Sequence, residues 1–142
     1  MLQRLKDRYE TYVQQSRAVR ENASAMDGFL GFGADPRKDP CHVAFFQDVE
    51  RWVAEFRQTE ADAETVYAAV EFILAAPSQY KKEDAYWFMY AAQGLCKDLI
   101  PSLTKEHCKE LAHMYDRDFP KKERFAAQDG VYKALSRGAR GK

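Results

Sequence analysis

Cys41 and His42 stand side by side just after Asp39-Pro40, and a thiol next to an imidazole is the pairing from which nucleophilic or metal chemistry is built. Asp is a strong helix N-cap and Pro a favoured first helical residue, so the pair falls in the first turn of a helix. There the positive end of the helix dipole, with Arg37 and Lys38 close in sequence, favours the thiolate. His42 is not positioned as its base, because neighbouring helical residues point about 100° apart. The region is a candidate reactive thiol whose base has to come from elsewhere in the fold. The plainer alternative is a small first-turn cysteine and a partly buried histidine on the Phe45 and Phe46 side.

His107, Cys108 and His113 extend the nitrogen and sulfur inventory towards zinc chemistry. Helical metal ligands are normally three or four residues apart so that both face one way, and these three are not. A metal site would require the second and fifth helices to bring Cys41 and Cys108 together. Neither a metal nor an organic cofactor is expected.

Gly28, Gly31 and Gly33 precede the helix start in the manner of a phosphate-cradling loop. No strand comes before them, no Gly-Lys-Ser or Gly-Lys-Thr follows, and Asp35 and Asp39 put negative charge where a phosphate would sit. The better expectation is a connection in which Phe29, Leu30 and Phe32 dock as an apolar lid or stand exposed as a binding patch.

Tyr80, Tyr86, Trp87, Phe88 and Tyr90, with Lys81 and Lys82 among them, supply the types that stack nucleic-acid bases or anchor protein interfaces. Glu83 and Asp84 argue against the nucleic-acid use. Trp87 and Tyr90 are therefore the leading interaction residues, with burial in the core of a wide-faced helix as the alternative, followed by Phe29 and Phe32.

The elements carrying these residues follow the helical period throughout. Leu2, Leu5, Tyr9, Tyr12, Val13 and Val19 stripe a first helix over about 2–22, and residues 23–38 form a loop. The second helix starts at Asp39 and buries Phe45, Phe46, Val49, Trp52, Val53 and Phe56. A break at Gln58 and Thr59 predicts an antiparallel hairpin with a third helix, capped by Thr59 with Asp62, lined by Val66, Tyr67, Val70, Ile73 and Leu74, and ended by Pro77. A fourth helix over 82–99 has Phe88, Met89, Ala92, Cys96 and Leu99 on one face and Trp87, Tyr90, Ala91 and Gly94 on another. Thr104 caps a fifth, burying Cys108, Leu111, Ala112 and Tyr115. A weaker last helix over 120–137 is anchored by Phe125, Val131, Tyr132 and Leu135, and residues 138–142 fray. No segment alternates with the period of a strand. The fold class is all-α: one domain over 1–142, an irregular bundle of five to six helices with a long Gly- and Pro-containing connection between the first two.

At 142 residues with 46% hydrophobic and 31% charged content, the chain has enough apolar material for one core. Its longest apolar run, Phe72 to Pro77, is too short to cross a membrane, and the basic start leads into no signal-peptide core. Three cysteines without a CxxC pair suit reduced thiols and a cytoplasmic protein. The formal net charge is zero, divided into an acidic body and a basic end: 14 basic and 19 acidic residues over 1–116, 8 basic and 3 acidic over 117–142. That mild balance argues against a dedicated nucleic-acid surface and suits self-complementation, with Asp48 to Glu71 meeting the C-terminal segment. With no catalytic signature, the expected function is a non-catalytic cytoplasmic interaction or adaptor domain that associates with a protein partner or itself, most simply as a homodimer. The alternatives are a thiol- or metal-dependent site at Cys41 and His42, and weak binding of single-stranded nucleic acid by the aromatic run and the basic end.

Overall fold

The computed structural model describes residues 1–30, 38–80 and 87–141, the side chains of 24–30 excepted. It is all-α: α1 (Leu2–Leu30), α2 (Pro40–Gln58), α3 (Ala63–Gln79), α4 (Trp87–Ala92), α5 (Lys105–Asp118) and α6 (Ala126–Ala139), with short 3₁₀ segments at Gln93–Asp98, Ile100–Ser102 and Lys121–Glu123. No strand occurs among the described residues. None of their helices is long and apolar enough to cross a membrane.

The N-terminal half of α1 buries Leu5, Tyr9, Tyr12 and Val13 as its spacing predicts, and Ser16, rather than Val19, extends the buried stripe. The helix runs to Leu30 instead of stopping near residue 22. Glu21 to Met26 contains no proline and two alanines, and a single glycine costs a helix only about 1 kcal/mol, so Gly28 does not end it. The rest of the expected connection, with Gly31, Phe32 and Gly33, lies outside the described residues, as does the side chain of Phe29.

Asp39 caps α2 as expected, accepting the Cys41 N–H at 2.9 Å. Five of the six apolar residues expected to be buried are buried, Phe46 only partly, and Phe45 stacks on Tyr12 with centroids 4.0 Å apart. Each such side chain contributes roughly 1.5–3 kcal/mol through removal from water.

Asp62 alone caps α3, accepting the Thr65 N–H at 2.9 Å, while Thr59 closes α2 by donating its hydroxyl to Phe56 O at 2.6 Å. Pro77 does not end α3; it is buried inside the helix, which continues to Gln79. The expected α2–α3 hairpin is not a closely packed pair. α2 packs on α1 and α4, and α3 on α5, α4 and the following 3₁₀ segment.

The helix expected over 82–99 changes character midway. Residues 81–86 lie outside the described residues, α4 covers 87–92, and the chain then tightens into 3₁₀. Three residues per turn bring Gln93, Cys96 and Leu99 to the same side, and all three are buried.

α5 and α6 form the most extensive helix pair. Thr104 and His107 make a reciprocal cap on α5, the His107 N–H reaching Thr104 Oγ1 at 3.0 Å and the Thr104 N–H reaching His107 Nδ1 at 3.3 Å. The final helix begins later than its pattern suggests, at Ala126, because Lys121–Glu123 forms a separate 3₁₀ turn. Gly138 belongs to the helix rather than to a frayed tail. It lies against Cys108, where a Cβ would come within 2.5 Å of the sulfur.

Candidate interaction surface

The face bearing the leading aromatic residues rests on a buried polar junction. Gln93 donates its amide N–H to Leu74 O at 2.9 Å, and its carbonyl accepts from the Tyr115 hydroxyl at 2.8 Å and from Gln128 Nε2 at 2.9 Å. Gln128 also uses its own carbonyl to receive the Phe125 N–H at 3.0 Å, which caps α6. α3, α5, α6 and the 3₁₀ segment are thus joined at one buried point. A satisfied network of this kind fixes a unique arrangement, since each group would be costly if left unpaired.

Arg124 secures the same corner from outside. Its side chain is only 3% exposed, sits 3.1 Å from Asp116 and 3.8 Å from Asp129, donates to Phe119 O at 3.2 Å, and covers the Tyr132 ring at 4.3 Å. The turn from Phe119 to Phe125 is thereby held against both α5 and α6.

On this base, Trp87 and Phe125 meet edge to face with centroids 4.8 Å apart, and both remain exposed, at 51% and 47%. Tyr90 is half-buried behind them, its ring 6.2 Å from both Phe119 and Phe125. Phe119 packs in turn on buried Tyr115 at 5.1 Å. The result is a tier of rings grading from core to solvent. The expectation that Phe125 anchors the core is therefore corrected. As the residue before the first turn of α6 it faces outward and completes a patch with Trp87. Sequence reasoning missed Phe119 and Phe125 as surface partners; the available signal was two aromatics flanking a Lys-Lys turn.

No family model, curated protein or solved structure matches this chain. Its function has to be read from its own residues.

The other candidates are arranged differently. Cys41 is partly buried, and its thiol is pushed up to about 11, first by burial and then by the neighbouring Asp39 carboxylate, with Arg8 opposing. These effects outweigh the dipole expected to acidify it. His42 is 1% exposed and shares a 2.7 Å hydrogen bond with the Tyr12 hydroxyl through Nδ1, its ring beside Phe88. It thus serves as a core residue linking α1 to α2.

Cys108 faces α6, His107 caps α5 and holds Glu64 at 2.9 Å through Nε2, and His113 is exposed. Because Nδ1 accepts from the backbone, Nε2 carries the proton donated to Glu64. No group of three potential metal ligands forms among the described residues.

Proposed function

We propose that this chain is a non-catalytic cytoplasmic interaction domain that associates with a second copy of itself through the Trp87–Phe125 patch. The observation carrying this reading is the pairing of two half-exposed aromatic rings from separate elements over a rigid polar junction. Large aromatic anchors dominate interface energetics, and a preorganised patch loses little side-chain entropy on docking. An apolar patch can face its own copy across a two-fold axis, and a chain of zero net charge adds no monopole repulsion. The cytoplasmic assignment draws on three free cysteines, two of them buried.

Sedimentation velocity over a concentration series tests the reading. A monomer–dimer equilibrium that disappears in Trp87→Ser and Phe125→Ser supports it. Concentration-independent monomers in the unaltered protein sink it.

A further inference from the structure

At the far end of α6 from Phe125, a groove of about 470 Å³ runs between that helix and the segment from Lys97 to Lys105. Among the described residues three cations line it, Lys97, Arg137 and Lys105, and no carboxylate does. None of the three makes an ion pair among the described residues. Asp98, the acid within that segment, lines a different cleft beside Phe56 and Arg57. Unpaired like charges around a concavity repel one another, and a bound anion would relieve that repulsion.

The cations are spaced along the groove. A Cβ at Gly130 would stand 3.3 Å from Lys97 Nζ, and one at Gly141 would stand 4.0 Å from Lys105 Cδ. α6 ends at Ala139 and Gly141 lies two residues past it in left-handed backbone, so the two lysines flank the run from Gly130 to the helix end, about 13 Å along the axis, with Arg137 between the two glycines in sequence. Ile100, Leu103 and Ala134 add aliphatic wall. An extended peptide places alternate side chains about 6.6 Å apart on one side, so three carboxylates at every second residue span about 13 Å. That length suits the cation row. A phosphodiester strand is the rival ligand, but binding to single strands relies on base stacking and no aromatic ring among the described residues lines this groove.

We propose that this groove binds an extended acidic peptide segment of a protein partner, with alternate carboxylates on Lys97, Arg137 and Lys105. The site is separate from the aromatic patch and does not depend on self-association.

The test is fluorescence anisotropy with a labelled octapeptide carrying Asp at positions 2, 4 and 6 and Leu at 3 and 5, titrated at low salt. Saturable 1:1 binding, weakened at least tenfold in Lys97→Gln/Arg137→Gln and unchanged in Trp87→Ser, is the expected result. Both replaced side chains are exposed, and an unchanged thermal melt verifies that the double variant is folded. Binding that is absent, or indifferent to the double substitution, overturns the proposal. Tighter binding of an oligo-dT of equal charge also overturns it, in favour of a phosphodiester ligand.

Discussion

Gly138 of α6 passes so close to Cys108 of α5 that a Cβ at position 138 would stand 2.5 Å from the sulfur and 3.2 Å from the cysteine Cβ. The close approach of α5 and α6 at this point thus depends on one missing methyl group. Gly138→Ala should destabilise the protein by about 1–3 kcal/mol, the range for overpacking a tight core. Cys108→Ala in the same chain should recover part of that loss. A double-mutant cycle from urea unfolding would show the coupling; additive effects would mean the helices separate freely.

Gln93→Leu should be more damaging than its size suggests. It removes the partner of the Tyr115 hydroxyl, of the Gln128 amide and of Leu74 O at once. At about 1–3 kcal/mol for each buried group left unpaired, the loss should exceed that of an ordinary core substitution. Urea denaturation measures it, and a loss under about 1 kcal/mol would show that the junction contributes little.

Much of this architecture was legible in the sequence because helical periodicity reports burial directly. The stripes of α1, α2 and α5 fall on the core as their spacing implies. Gln93 and Gln128 were not legible, since a polar residue on an apolar face looks like an interruption until its partners from other elements are in place. The aromatic patch was half legible. Trp87 and Tyr90 stand out by type, but Phe125 joins them through a tertiary contact no local pattern encodes. Cys41 shows the converse: the helix dipole with Arg37 and Lys38 favours an acidified thiol, and burial beside Asp39 reverses it.

Cys41 should therefore alkylate slowly near neutral pH, with a rate midpoint near 11. The folded state holds this proton more tightly than an unfolded chain, whose thiols titrate at about 8.5. The associated stability is complete below that pH and is lost as pH rises towards the folded value. Asp39→Asn keeps a capping oxygen while removing the charge, so it should lower the midpoint without abolishing α2. Stoichiometric labelling of Cys41 at pH 6 would contradict the assignment.

Tyr9 is completely buried between Phe45 and Phe72, and its hydroxyl has no hydrogen-bond partner among the described residues. Tyr9→Phe removes an unsatisfied polar atom at no cost in shape. It should leave stability unchanged or raise it by about 1 kcal/mol. Thermal melting decides the matter, and a clear loss of stability would mean the hydroxyl has a structural partner.

Self-association through Trp87 and Phe125 is what the proposed function requires. The most direct measurement is sedimentation velocity of the unaltered protein beside Trp87→Ser/Phe125→Ser, with circular dichroism on both. The account predicts a reversible dimer with Kd on the order of 1–100 µM for the former, as suits a small aromatic patch, and a monomer of the same helical content for the latter. Two identical sedimentation profiles, or a variant that loses its helical spectrum, would contradict it.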